Sequence, residues 1–221
     1  MTQDMTNLTA FLPLVLPRAP GCLEMYALLQ LRLAAIDFCE RTRCWRETLS
    51  LAVSATNTTL TDPTDATIHK YGDVWFNDTK LTPVVFEDVN PIELTGAIQT
   101  SSPRLFTQPS PGVVSIYPFQ TGTLRLSVFL KPRQGQSVGG NALDPLADAY
   151  DVVPAFMFQH WAEAIAAGAL ARILSTPNET FTDPQSAANY AMLFEAKASN
   201  AASGYLTGQQ RAPLRTKPNW F

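Results

Sequence analysis

The chain has 221 residues, 46% of them hydrophobic, and its 16 basic and 19 acidic side chains leave a formal charge of −3. This length and apolar content are enough to bury one large core or two small ones without a disulfide or a metal. The near balance of charge provides no global attraction to nucleic acid or to an anionic membrane. We therefore expect the partners of this chain to be proteins.

Cysteine and histidine are too few and too scattered for a metal site or a disulfide framework. Cys22, Cys39 and Cys44 are odd in number and lack CxxC spacing, and His69 and His160 lack HxxxH spacing. No GK[ST] sequence signals phosphate binding. We expect no catalytic residue, no cofactor and no metal, and a reducing, intracellular site of synthesis.

The first long helix is predicted after an N-terminal arm. Residues 1–20 contain an apolar patch, but Pro13 and Pro17 interrupt it, and it is too short for a membrane anchor or an export signal. Residues 21–45 then place apolar side chains at helical spacing, which predicts one buried face. Further apolar side chains flank this face and indicate more than one neighbour, as in a bundle or a ring. The predicted face consists of Met25, Leu29, Leu33, Ile36 and Cys39.

Residues 47–133 contain short β-type runs separated by Pro, Gly, Asn, Asp and Thr, which predict an inserted antiparallel β module. Apolar residues alternate with Arg125 and Ser127 in one run, as is typical of a half-buried strand. Asn77 and Asp78 stand where a tight hairpin turn is expected. The predicted strands are 49–53, 74–76, 81–86, 113–117 and 124–130.

A glycine-rich flexible loop is predicted at 134–145, and helical patterning returns over 146–204. Gly168 lowers helix propensity by about 1 kcal/mol, so we expect it to permit a close approach between helices. Asp183 suits the N-cap of the last helix. Together with 21–46, these segments predict a bundle of three to four helices, and the inserted β module makes the fold class α+β. The residues predicted to pack the bundle or a ring interface are Leu29, Leu33, Ile36, Phe38, Phe158, Trp161, Ile165, Gly168 and Phe194.

Residues 205–221 are predicted to form an extended C-terminal segment, in which no acidic side chain occurs. Its apolar content is too low for independent folding. Two terminal aromatic residues and three cations favour docking along a partner's surface, and a solvated tail is the alternative. The predicted docking residues are Arg211, Arg215, Lys217, Trp220 and Phe221.

Three blocks of sequence, in this order, carry a resemblance to a known family. The first contains Leu16-Pro17, Pro20-Gly21-Cys22, Leu31-Arg32, Ala34-Ala35-Ile36-Asp37-Phe38-Cys39-Glu40-Arg41-Thr42 and Trp45-Arg46. The second contains residues 103–107, 113–118 and 122–132, and the third contains Pro154, residues 161–166 and 168–171, Pro177 and Phe194. In combination, these blocks resemble the head-to-tail adaptor proteins of short-tailed bacteriophages.

The resemblance implies a virion subunit, made in the host cytoplasm, that forms a ring of about twelve copies at the head-to-tail interface. Such adaptors join the portal protein to the tail nozzle or hub protein, and DNA passes through their lumen without specific binding. They have no cofactor and no membrane contact. By the same analogy, the bundle contacts neighbouring copies and the portal, the C-terminal segment reaches along the portal, and the β module lies toward the tail.

Three other functions stay open at the level of sequence. A different neck or tail ring protein of the same virion is one, and a cellular protein-binding β domain is another. A cell-wall glycan hydrolase would need two carboxyls, one of them with a raised pKa, and Glu24 or Glu40 could serve. Asp37 and Glu40 share a helix face, but the neighbouring Arg41 favours an ordinary salt-bridged surface.

Overall fold

A computed structural model describes residues 4–63, 65–89, 101–134, 136–138, 142–144 and 151–207. The chain divides into two compact units. The first, called the helical unit below, comprises Met1–Trp45 and Lys131–Phe221, and the second, called the β unit, comprises Arg46–Leu130. Helices and largely antiparallel sheets are both present, which confirms the predicted α+β class.

The helical unit is built on three long helices and one short one within the described residues. Cys39 contacts Met157 while the hydroxyl groups of Tyr26 and Thr176 bond at 2.8 Å, so the first two long helices run antiparallel. The last long helix continues past the predicted bundle boundary at residue 204. The helices are α1 (Leu12–Val15), α2 (Glu24–Thr42), α3 (Ala155–Leu174) and α4 (Pro184–Thr207).

The N-terminal residues, predicted as a separate arm, belong to the core of the helical unit. Strand β1 (Met5–Asn7) pairs antiparallel with the strand Val152–Pro154, and two 3-10 turns, Leu8–Phe11 and Leu16–Arg18, flank α1. Leu8, Phe11 and Val15 are fully buried there. The apolar patch in residues 1–20 is therefore part of the buried core of the helical unit.

The buried face of α2 is not the predicted one. Ala27, Leu31, Ala34, Ala35 and Phe38 are fully buried. Of the predicted face, Cys39 is fully buried too, whereas Met25 is 53% exposed. At 100° per residue, these two sets of side chains lie on opposite sides of the helix. The reason is the opposing surface of α3, where residues 164–170 are all buried and consist mainly of alanine around one glycine. The short side chains of Ala27, Ala34 and Ala35 let the two helices approach, and Leu31 and Phe38 are buried beside them.

The β unit contains two four-stranded sheets within the described residues, with the strand orders β2-β9-β4-β5 and β3-β8-β7-β6. The first sheet consists of β2 (Arg46–Val53), β9 (Gly122–Pro132), β4 (Ala66–Phe76) and β5 (Thr79–Lys80). The second consists of β3 (Asn57–Thr59), β8 (Val113–Tyr117), β7 (Leu105–Ser110) and β6 (Thr82–Pro83). The pair β6–β7 is parallel, which departs from the predicted all-antiparallel module.

Two predictions in the β unit are confirmed: the hairpin turn at Asn77 and Asp78, and the alternating strand at residues 124–130. Asn77 and Asp78 have φ values of 43° and 66°, as the predicted hairpin between β4 and β5 requires. The alternating apolar residues of β9 are buried, and Ser127 between them is buried too, because it accepts a hydrogen bond from Arg46. The predicted strand 81–86 is wrong, since only β6 and a 3-10 turn at Phe86–Asp88 form there.

The segment predicted as a flexible loop contains one further pair of strands. Strand β10 (Gln136–Val138) pairs antiparallel with β11 (Ala142–Asp144). The strand opposite β1, Val152–Pro154, is β12 and leads directly into α3.

Candidate functional site: assembly surfaces

The outward face of α2 carries a row of apolar side chains, Met25, Leu29, Leu33 and Ile36, called the outer stripe below. Met25 is exposed and the other three are half-buried, and among the residues that the structure describes none of the four belongs to the core cluster of the helical unit or packs against it. Leu23, directly before the helix, is 75% exposed. Four apolar side chains in line on one helix face are typical of a protein contact, whereas single exposed leucines are not.

Ion pairs fix α2 against its neighbours beside the outer stripe. Arg41 donates to Asp37 at 2.6 Å and also bonds Glu195 of α4. Hydrogen bonds to Glu195 and then to Asp37 raise the pKa of the Arg41 guanidinium. Arg172 of α3 bonds the second oxygen of Asp37 at 3.0 Å. The orientation of the stripe is thus tied to both of the other long helices.

Glu40, the principal candidate for glycan chemistry, also lies beside the stripe. Its carboxylate accepts a 2.6 Å hydrogen bond from Lys131. Glu24 is exposed in the first turn of α2. Both Asp37 and Glu40 are therefore used in ion pairs, as the predicted salt-bridged helix surface requires.

Six of the predicted packing residues lie inside the helical unit and hold the bundle together. The Phe38 ring lies 5.6 Å from the ring of Trp161 and 6.3 Å from that of Phe194. Phe158 meets Phe11 edge-to-face at 5.0 Å. These rings, with the buried Ile165 and Gly168, join all three long helices and the N-terminal segment. Leu29, Leu33 and Ile36 are the remaining three and belong to the outer stripe.

The close helix approach expected at Gly168 is present. A Cβ atom at this position would lie 2.8 Å from Cδ2 of Phe194 and 3.1 Å from Cβ of Ala34. Real Cβ atoms avoid such distances, so only glycine allows α2 and α4 to approach α3 this closely.

A buried arginine anchors the chain segments on either side of β10 and β11. Arg32 of α2 is 1% exposed, and its Nε donates to Oδ1 of Asp151 at 3.0 Å. Its NH1 group donates to the carbonyl oxygen of Gln134 at 2.9 Å. Sequence analysis missed this role because an arginine on an amphipathic helix is normally read as solvent-facing. The adjoining apolar residues Leu31 and Ala34 were the available signal.

Cys39 and Cys44 are buried free thiols, whereas Cys22 is half-buried. The sulfur atoms of Cys39 and Cys44 lie 4.0 Å apart, and Cys39 is 3.7 Å from the sulfur of Met157. The hydrogen bond to Cys44, together with burial, raises the pKa of the Cys39 thiol. Across the part of the chain that the structure describes, no group of three or more His, Cys, Asp or Glu side chains could hold a metal.

Two further expectations concern the membrane and the C-terminal segment. No helix among the described residues is long and apolar enough to cross a membrane. Arg211, Arg215, Lys217, Trp220 and Phe221 lie outside the described residues, which end at Thr207.

The N-cap expected for α4 is confirmed, because Asp183 accepts a hydrogen bond from the backbone N–H of Ser186 at 3.1 Å.

Comparison with known proteins agrees with the resemblance seen in the residues. The sequence matches the SU10 adaptor protein family over residues 23–217, which covers α2, the β unit, α3 and α4. No curated protein matches the chain. Since the family match extends over most of the sequence, the chain belongs to the SU10 adaptor protein family and is a bacteriophage adaptor protein of the structural kind.

Proposed function

We propose that this protein is a head-to-tail adaptor that assembles as a ring of about twelve copies between the portal and the tail nozzle. The ring keeps the DNA channel continuous and carries out no catalysis. Its place is the head-to-tail interface of the virion, after synthesis in the host cytoplasm. The observation that carries the proposal is the outer stripe on α2, a row of apolar side chains on the side of the helix away from α3 that begins at the exposed Met25.

A ring requires two different complementary surfaces on each copy, because a head-to-tail contact repeats until it closes. The outer stripe supplies one surface with long apolar side chains. The outward face of α4 supplies a second one with mainly short, uncharged side chains. Its exposed residues include Ala188, Ala191, Met192, Ala196 and Ser199. Long side chains of one copy that pack over the short ones of the next would bury the stripe without moving the bundle.

Attachment to the portal is assigned to the C-terminal segment, and attachment to the tail to the β unit. Arg211, Arg215, Lys217, Trp220 and Phe221 follow α4 without any acidic residue among them. Cations and aromatic side chains are the types that dominate protein interfaces. Docking of this segment orders a chain that is too polar to fold alone, so we expect it to form contacts only on the portal.

The first test mixes the purified protein with its portal ring and images the product by electron microscopy. We expect one additional ring below the portal, and the double variant Leu29→Glu with Leu33→Glu should fold normally yet form no ring. The control for each single variant, Leu29→Glu or Leu33→Glu, is Leu14→Glu, which places one negative charge on another partly exposed leucine of the helical unit and should leave the ring intact. A normal ring from the double variant, or a wild-type chain that remains monomeric with its portal, would contradict the proposal.

A truncation distinguishes the adaptor from another neck or tail ring protein. Removal of residues 211–221 should abolish the additional ring on the portal while the helical and β units stay folded. Unchanged attachment of the truncated chain would favour the other ring protein, whose contact with the portal would not use this segment.

A further inference from the structure

One edge of strand β4 has no partner strand over most of its length. In the described residues, β4 is followed in its sheet only by β5, which pairs with Trp75 and Phe76 at the hairpin end. The backbone N–H of Leu81 donates to the carbonyl of Val74, so even-numbered residues of β4 direct their backbone groups toward this edge. Lys70 and Gly72 therefore present unpaired N–H and C=O groups beyond the end of β5.

The same edge is already capped at one position by a side chain. The N–H of Ile68 donates to Oδ1 of Asp62 at 3.0 Å, which agrees with the assignment of even-numbered residues to the open edge. From Ile68 to Gly72 the edge is about 13 Å long at the usual rise per residue of a strand. That length suits pairing with a short extended segment.

A second open edge faces the same space from the other sheet. Strand β6 pairs with β7 only at Leu105 and Phe106, and the N–H of Val84 donates to the carbonyl of Phe106. Gln108 lies just past the end of β6, where the pairing of β7 with β8 shifts register between Thr107 and Ser110. Its side-chain amide donates to the Tyr71 hydroxyl at 3.4 Å, which joins β7 to β4.

The two edges line a cleft of about 790 Å³ inside the β unit. Apolar side chains line part of it, contributed by Leu60, Val84, Phe106 and Pro111. Thr67 to Gly72 of β4 and Thr107 with Gln108 of β7 form the walls that carry the backbone groups. A peptide in extended form satisfies both features, because its backbone pairs with an edge and alternate side chains enter an apolar floor.

We propose that this cleft, called the edge cleft below, binds an extended segment of the tail-side partner protein as an added strand on β4. This assignment of the partner rests on the proposed adaptor function, whereas the preference for an extended peptide rests on the open backbone edges. Long unpaired edges invite association and are normally blocked by proline, a bulge or a covering element. The Ile68–Gly72 stretch contains no proline, and no strand pairs with this edge of it among the residues that the structure describes.

The experiment measures binding of the full-length protein to an array of overlapping twelve-residue peptides that cover the tail proteins of the same virion. A parallel set covers this chain, and scrambled peptides are the background. We expect binding to a tail-protein segment, with protection from hydrogen exchange at the amides of Lys70 and Gly72. Binding to this chain's peptides alone, or to no peptide, overturns the proposal.

A pair of variants at one position separates backbone pairing from side-chain effects. Lys70→Pro removes the outward N–H and should reduce peptide affinity at least tenfold, whereas Lys70→Thr keeps the N–H and should bind as the wild type does. Proline is tolerated at an edge N–H that faces solvent, so both variants should keep the wild-type thermal midpoint. Equal affinities for the two variants would overturn the proposal.

The same variants distinguish this proposal from the adaptor function. Lys70→Pro should still form the additional ring on the portal in electron micrographs and fail only to recruit the tail protein. If no variant and not even the wild type forms that ring, the adaptor function fails. If the wild-type ring forms and Lys70→Pro recruits the tail protein normally, only the edge cleft fails.

Discussion

The helical unit and the β unit leave different chemistry available on their surfaces. The helical unit pairs its backbone within helices and leaves apolar side chains, those of the outer stripe, without a core to cover them. The β unit buries its apolar side chains between strands and leaves backbone groups at the open edges of β4 and β7. Contacts made by the helical unit therefore depend on which side chains it carries. Contacts made by the open strand edges of the β unit use backbone groups and should persist when most side chains there are changed.

This difference has a consequence for how mutations act. Substitutions on the outside of the helical unit should change assembly but not folding, and substitutions inside it should do the reverse. In the β unit, proline at an edge should affect binding where other residues do not. If the interior contacts of the helical unit supply most of its stability, substitutions there should lower the free energy of unfolding more than substitutions on its surface.

The largest effect is expected from Arg32→Ala. This variant leaves the Asp151 carboxylate buried without its partner, and breaking a buried ion pair in this way costs about 3–5 kcal/mol. Chemical denaturation followed by circular dichroism measures the loss. Arg172→Ala is the matched control, since its pair with Asp37 is partly exposed and such pairs contribute at most about 1 kcal/mol. Similar losses of unfolding free energy in both variants would show that the buried ion pair stabilises the unit no more than the exposed one does.

A smaller effect is expected from Gly168→Val, which forces methyl groups into Phe194 and Ala34. Overpacking of this kind lowers the free energy of unfolding by about 1–3 kcal/mol. Gly204→Ala provides the contrast, because a Cβ there meets no atom within 4 Å. Replacing a helical glycine by alanine should raise stability by up to about 1 kcal/mol. The thermal midpoints of both variants test this expectation. A Gly168→Val variant with the midpoint of the wild type would contradict close packing at this position.

The smallest effect concerns pH. A hydrogen bond from Lys197 lowers the pKa of the Glu163 carboxyl below its ordinary value of 4.5. A carboxyl with a depressed pKa in the folded state stabilises the protein above its unfolded pKa, and this stability is lost as the pH falls from there through the folded pKa. Because the pair is exposed, the contribution should be below about 0.5 kcal/mol and should shrink with salt.

Lys197→Met tests this by removing the cause of the shift. Its free energy of unfolding should fall slightly less than that of the wild type when the pH is lowered from about 6 to about 3. An acid sensitivity that is unchanged in the variant and large in both proteins would place the responsible carboxyl elsewhere.

Sequence patterns located most elements, but they assigned the faces of α2 incorrectly. Helical spacing identified α2, α3 and α4, and the residues Asn77 and Asp78 identified the turn between β4 and β5. The error on α2 arose because large apolar residues were taken as the buried set. The face that is buried against the alanine-rich surface of α3 contains three alanines with Leu31 and Phe38, and this choice of face depends on the neighbour and not on α2.

Of the assembly surfaces, Leu29, Leu33 and Ile36 were identified from the sequence alone, but their outward direction was not. The buried role of Arg32 and the edge cleft were missed. An arginine between apolar residues has no pattern that distinguishes a buried ion pair from a surface charge. The open edge of β4 depends on where β5 ends, and β7 was not predicted as a strand.

Properties that depend on the order of residues along the chain could be read without a structure. These include the periodicity of the helices, the alternation in β9, the cap at Asp183 and membership of the adaptor family. Properties that depend on which surfaces meet could not be read, because periodicity defines angles around a helix axis but not the direction of its neighbours. The outward stripe of α2, the ion pair of Arg32 and the unpaired edge of β4 all arise from such meetings between distant segments.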